Sequence, residues 1–99
     1  MFVVIRETTY APHISLDETP QFREFQSAHA GRPGYEGTLV ACVGAGRHVT
    51  VTLWQTPEDM NAAREALSPV VQRLLDPLMT MPSTLIGTGK VVFDDLRQG

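Results

Sequence analysis

The sequence is poor in cysteine, lysine and long apolar runs, and each shortage excludes a class of protein. Its 99 residues include one cysteine, Cys42, so no internal disulfide can form and a reducing compartment, the cytoplasm, is expected. One lysine, Lys90, and scattered arginines leave none of the clustered cations that bind nucleic acid. No apolar run approaches the roughly 20 residues that span a bilayer, so no membrane partner is expected.

Several common site motifs are also missing from the sequence. There is no His-x-x-x-His or Cys-x-x-Cys spacing, and His13, His29 and His48 lie too far apart in sequence to form such a pair, so no metal is expected. The GxGxxG, P-loop and Gly-x-Ser-x-Gly motifs are absent. The glycine-rich segment Val43-Gly44-Ala45-Gly46 is typical of a hairpin turn and not of a phosphate-binding loop.

The residues that are present predict one α+β domain over 1–99 with the element order βαββαβ. The chain is 42% hydrophobic with a formal charge of −3, and a domain of this length buries about two-thirds of its unfolded surface. Four stretches have strand-forming residues and strand periodicity: 2–10, 36–43, 47–54 and 84–93. In the last stretch, Gly87 and Gly89 predict a bulge or a close backbone approach.

Proline and hydroxyl residues predict where two helices begin. Thr19 before Pro20, with Ser15 and Glu18 at capping-box spacing, predicts a first helix that ends at Gly31. The second helix is expected to open with Thr56 as its N-cap and to end at Asp76-Pro77. Within it, Ser68-Pro69 repeats the start signal and predicts a kink or a second helical segment.

The third strand has two chemically different faces. Its alternation places Val49, Val51 and Leu53 on one face, and we expect this face to form the core. The other face is too polar for an ordinary core and too aromatic for an ordinary surface; it carries His48, Thr50, Thr52 and Trp54. We expect this polar-aromatic face to line a half-wet pocket or to contact a partner subunit.

The element order is that of the ferredoxin-like split βαβ fold, with both helices on one face of a four-stranded antiparallel sheet. The opposite face then has no cover within the chain. We expect it to carry Phe2, Val4, Val40 and Trp54. Because an apolar patch of that size is rarely left in water, the sequence predicts a homodimer in which two such faces meet.

Two stretches resemble a known family. Pro33-Gly34-Tyr35 after the first helix, and Trp54-Gln55-Thr56-Pro57-Glu58-Asp59 at the start of the second, are similar to the antibiotic biosynthesis monooxygenases of the dimeric α+β barrel superfamily. The resemblance implies a homodimer with one pocket per subunit between sheet and helices. It also implies a cofactor-independent monooxygenase that removes a proton from a small aromatic or polyketide-like molecule and lets the carbanion react with O2, without metal, flavin or haem.

The match to that family is partial. Trp54 stands where the anthrone-oxidising members have their pocket tryptophan, but Thr50 replaces an amide side chain and Met60 replaces a tyrosine. The haem-degrading branch has a tryptophan on the second helix and a histidine ligand further on. Here Ala63 and the neighbourhood of Arg73 provide neither, so haem degradation is disfavoured.

Four residues are candidates for catalysis. Trp54 would contact substrate, or else anchor the core or the dimer interface. Arg6 would stabilise an enolate or carboxylate in the pocket, or else form a salt bridge between subunits. His48 and His29 would move a proton. Otherwise His48 would be a solvated strand-end histidine, and His29 a histidine at the edge of the helix core bonded to a backbone carbonyl. The candidate substrate-binding residues are Thr50, Thr52, Met60 and Phe25.

Two functions are therefore open. The first is the cofactor-independent oxygenase, and the second is a non-catalytic or small-ligand-binding homodimer that keeps the scaffold. An open, dry cavity beside Trp54 would favour the first, whereas a cavity filled by side chains such as Met60 and Phe25 would favour the second. The fold by itself does not decide between them.

Overall fold

Residues 1–97 are described by a computed structural model, and their elements follow the predicted order: β1 (Phe2–Thr9), α1 (Pro20–Ala30), β2 (Tyr35–Gly44), β3 (Arg47–Trp54), α2 (Pro57–Leu74) and β4 (Thr84–Lys90). Single 3₁₀ turns lie at Leu16–Glu18 and Asp76–Leu78. The four strands form one antiparallel sheet in the order β2-β3-β1-β4. This confirms the ferredoxin-like α+β prediction. None of the described helices is long and apolar enough to cross a membrane.

The β2–β3 hairpin closes through a two-residue loop. Ala45 and Gly46 both have positive φ, 50° and 78°, and this is the combination that a type I′ turn requires. Gly46 also lies against the end of β1, because its carbonyl accepts a hydrogen bond of 2.9 Å from the Tyr10 amide. The predicted glycine turn is confirmed. It links β2 to β3 and is hydrogen-bonded to the end of β1.

The two helices begin at the predicted prolines, but with different caps. The Thr56 hydroxyl accepts a hydrogen bond of 3.1 Å from the Asp59 amide, so α2 has the predicted N-cap. At α1 the Thr19 hydroxyl instead donates to the Ser15 carbonyl, and Ser15 donates to the Asp17 carboxylate. The predicted capping box there is wrong, because the 3₁₀ turn already uses these side chains.

Three predicted boundaries change in the structure. Helix α2 runs through Pro69 as one element, so a second segment is wrong, and it ends at Leu74, before Asp76. Strand β4 ends at Lys90 and not at residue 93, since Lys90 pairs with Phe2, the first residue of β1; beyond this pair the Val91 amide donates a hydrogen bond to the Met1 carbonyl. The predicted bulge is confirmed, since the β1–β4 register shifts between Ile5 and Arg6.

The largest correction concerns which sheet face the helices cover. Trp54 is only 3% exposed and packs with Ala63 and Leu67 of α2, so the polar-aromatic face is the covered one. By strand alternation, the face without cover is the opposite of the predicted one; this outer face carries Val3, Ile5, Leu39, Val49, Val51 and Leu53. Threonines are tolerated on the covered face because they line a cavity instead of a packed core.

Candidate functional site

A cavity of about 750 Å³ lies between the sheet and the helices. On its sheet side, the antiparallel register places Val4 opposite Thr52 and Arg6 opposite Thr50, and Trp54 lies at one end. Helices α1 and α2 provide most of the opposite wall. On the helix side of the cavity, α1 contacts β2 and α2 contacts β3.

An aromatic cluster forms one end of the cavity. The His29 ring lies 5.1 to 5.4 Å, centroid to centroid, from the rings of Phe25, Tyr35 and Trp54. His29 is 8% exposed, and this burial lowers its pKa from 6.5 to about 4. Its ring is therefore neutral at neutral pH, which is the form that accepts a proton.

The His29 ring has an unused polar atom. Within residues 1–97, its Nδ1 is buried and has no hydrogen-bond partner, which differs from the predicted backbone-bonded histidine. Buried polar atoms normally have partners, and exceptions often mark a functional site. The helical spacing of Phe22, Phe25 and His29 correctly placed this ring on the inner side of α1.

Three polar side chains at the same end form a hydrogen-bonded series that sequence reasoning missed. The Gln26 amide donates to the Tyr35 hydroxyl at 2.8 Å, and that hydroxyl donates to Thr38 Oγ1 at 2.7 Å. Gln26 and Thr38 line the cavity. Gln26 lies four residues after Phe22, on the same helix face, and this spacing is the signal that would have identified it.

The structure brings together seven of the eight predicted site residues. All of the following line the cavity: Arg6, Phe25, His29, Thr50, Thr52, Trp54 and Met60. Phe25 and Met60 lie on its wall and leave it open. The cavity is therefore not filled by these two side chains.

His48 is the exception. It lines a second pocket of about 630 Å³ beside the first, its Nδ1 lies 2.8 Å from the Gly46 carbonyl oxygen, and its ring meets Tyr10 edge-on. It is 7% exposed, so the solvated strand-end alternative is also wrong. The β3 alternation gave the correct face, but the hairpin turn holds the ring away from the larger cavity.

The far end of the large cavity contains a residue that the sequence did not single out. Tyr10 is buried there, and burial, with the nearby charge of Asp76, raises the pKa of its phenol to about 12. The hydroxyl is therefore a hydrogen-bond donor at every physiological pH. Among the described residues, no three His, Cys, Asp or Glu side chains are grouped so that they could hold a metal ion.

Comparison with known proteins identifies the fold. No family model and no curated sequence matches this chain. A variant of SnoaB, a cofactor-independent oxygenase from Streptomyces nogalater, superposes with a TM-score of 0.73 at 16% identity, over 94% of each chain. A putative antibiotic biosynthesis monooxygenase from Nitrosomonas europaea gives 0.63 at 19% identity, over 94% of this chain and 100% of its own.

A third structure with this fold binds a large aromatic molecule. A variant of MhuD, with two manganese protoporphyrin IX bound per active site, superposes with a TM-score of 0.70 at 21% identity, over 98% of this chain and all of its own. A cofactor-independent oxygenase and a porphyrin-bound protein thus share this architecture. The chain therefore has the fold of the antibiotic biosynthesis monooxygenases.

Proposed function

We propose that the protein is a cofactor-independent monooxygenase of the antibiotic biosynthesis type, acting with O2 on a small aromatic or polyketide-like molecule. The observation that carries this proposal is the open cavity in which buried Trp54 lies beside a neutral histidine, His29. The likeness of the fold to SnoaB, a cofactor-independent oxygenase, supports it.

The cavity residues supply what such a reaction needs from a protein. The indole of Trp54 holds the flat substrate, and His29 accepts a proton from an activated methylene beside a phenolic ring. The hydroxyls of Thr52 and Thr50 donate hydrogen bonds to the enolate oxygen that forms. The carbanion then gives its electrons to O2, and loss of water leaves a carbonyl, so that CH2 and O2 become C=O and H2O.

The alternative function is a homodimeric protein that binds a small ligand without chemistry. Two observations favour it. The cavity has Thr50 and Met60 at positions where the resemblance implies an amide and a tyrosine. MhuD, with the same fold, binds a porphyrin in its active site. In this alternative the same cavity residues would bind and release a ligand without converting it.

The oxygenase proposal is tested by O2 consumption with a panel of anthrones and hydroquinones and no added cofactor. We expect turnover, and we expect Trp54→Phe to lower kcat/KM by about tenfold, because the smaller ring loses contact with the substrate and the donor of the indole. Phe93→Leu is the matched control, since Phe93 is 81% exposed and lies outside the cavity. A panel without turnover in the wild-type protein would favour the ligand-binding alternative.

The protein is further proposed to be a homodimer of the cytoplasm. The outer face of the sheet is apolar, and Leu39 at its edge is 69% exposed. Two copies of this face would cover each other, as a two-fold dimer requires. The exposed thiol of Cys42 fits a reducing compartment.

Sedimentation equilibrium tests the dimer directly. We expect a mass of twice the 10.9 kDa chain at micromolar concentration. Leu39→Glu places a charge in the interface and should raise the dissociation constant at least about tenfold. Glu65→Gln, on an exposed position of α2, is the control and should leave it unchanged. A wild-type monomer at these concentrations would contradict the dimer.

A further inference from the structure

Arg6 is a cation without a counter-ion inside the cavity. Its side chain is half-buried and lines the cavity wall. Within residues 1–97, the ion pairs join other residues: Arg47 with Glu7, Arg73 with Glu24, and Arg97 with Asp95. An unpaired charge that is partly removed from water costs free energy, so its retention needs an explanation.

The residues around Arg6 do not supply the missing negative charge. Its cross-strand partners are Thr50 on β3 and Leu85 on β4, and both are neutral. Among residues 1–97, the carboxylate on the cavity wall is that of Asp76, whose charge acts on Tyr10. Within the same residues, Asp76 forms no ion pair with Arg6.

The cavity as a whole is positive although the chain is negative. Of residues 1–97, the ionised side chains that line it are those of Arg6, Arg64 and Asp76, and His29 is neutral. Two arginines against one aspartate leave one positive charge, whereas the full chain carries −3. This contrast favours an anionic ligand in the cavity over a neutral one.

We infer that Arg6 binds the carboxylate of an aromatic ligand whose ring system lies against Trp54. This inference rests on the proposed use of the cavity as the substrate site. The planar guanidinium offers two parallel N–H donors, which match the two oxygens of a carboxylate.

The register sets the length of such a ligand. Trp54 lies opposite Phe2, and Arg6 is four residues further along β1, so their backbones are roughly 13 Å apart along the sheet. A ligand of two or three fused rings with the acid at its far end therefore contacts both residues, and a single-ring acid contacts only one.

Isothermal titration calorimetry with two matched probes tests this assignment. Anthracene-2-carboxylate and anthracene-2-carboxamide have the same shape and differ in charge. We expect the acid to bind at least about tenfold more tightly than the amide, and Arg6→Met to remove that preference. Arg6→Lys should keep part of the preference for the acid, since lysine keeps the positive charge but lacks the two parallel N–H donors of the guanidinium. Arg73→Met, outside the cavity, should retain it fully.

Three outcomes would overturn the inference: equal binding of the two probes, a preference that survives in Arg6→Met, or no binding of either probe. Urea denaturation of Arg6→Met separates binding from folding. We expect its midpoint to equal or exceed that of the wild type, because a purely structural arginine would lower it on removal. Neither probe has an activated methylene and O2 is not consumed, so the result is independent of whether the oxygenase proposal holds.

Discussion

Gly46→Ala is expected to lower the free energy of unfolding by about 3 kcal/mol. Gly46 has φ of 78°, in the left-handed region that alanine adopts only with strain. A Cβ on this residue would also fall against the carbonyl oxygen of Tyr10. Because that atom belongs to the backbone at the end of β1, it moves only if the strand moves, so the clash adds to the strain of the turn.

The Gly46 carbonyl contacts two pocket-lining residues, Tyr10 of the large cavity and His48 of the second pocket. It accepts from the Tyr10 amide and lies within hydrogen-bond distance of His48 Nδ1, and the rings of Tyr10 and His48 meet at 5.3 Å. A shift of this loop therefore displaces Tyr10, which lines the large cavity. We expect Gly46→Ala to change ligand binding as well as stability.

Urea denaturation measures the stability change against a matched control. Gly89→Ala is the control, because Gly89 lies in β4 without positive φ and nothing lies within 4 Å of the position that the alanine methyl group would occupy. Its expected effect is within about 0.5 kcal/mol. If Gly46→Ala were as mild as Gly89→Ala, the type I′ turn and its contact with β1 would be wrong.

Local signals in the sequence predicted the elements because each signal has a local cause. The hairpin turn has a glycine, Gly46, at a position of positive φ, and Thr56-Pro57 satisfies a helix start by itself. The end of β4 has no such local cause. It is set by the pairing with β1, whose first residue, Phe2, lies opposite Lys90, and this register is a property of the sheet and not of the local sequence.

The covered face of the sheet was predicted wrongly for a physical reason. Alternation places Trp54 and Leu53 on opposite faces of β3, and each face contains apolar residues. The face with Val49, Val51 and Leu53 is the less polar one, so it was predicted to be the core. Threonine is acceptable beneath helices only where a cavity remains, and the existence of a cavity depends on how the helices sit above the sheet. That packing cannot be obtained from the period of one strand.

The two histidines of the candidate site show the same limit. From the sequence, His29 on the apolar stripe of α1 and His48 on the polar-aromatic face of β3 are equal candidates for proton transfer. In the structure His29 enters an aromatic cluster that spans α1, β2 and β3, whereas His48 is held by its own turn. The difference arises from contacts between residues distant in sequence, so the chemical consequence for His29 could be derived only from the fold.

That consequence predicts a pH dependence of stability. Burial lowers the folded-state pKa of His29 to about 4, below the 6.5 of an unperturbed histidine. Above pH 6.5 the ring is neutral in both states and contributes no pH dependence. As the pH falls from 6.5 to 4, the unfolded chain binds a proton that the folded protein excludes, so stability is lost, on the order of 3 kcal/mol in total.

Urea denaturation at several pH values between about 4 and 7, with His29→Phe beside the wild type, isolates this contribution. Phenylalanine keeps an aromatic ring in the cluster and cannot bind a proton, so the variant should lose less stability than the wild type across the window. The difference between the two curves removes the carboxylates, which titrate in both proteins. His13→Gln, a change at an exposed histidine, should follow the wild-type curve. Parallel curves for His29→Phe and wild type would mean that His29 takes up its proton within the fold, and His29 would then be charged, and unable to act as the base, at the acid end of this range.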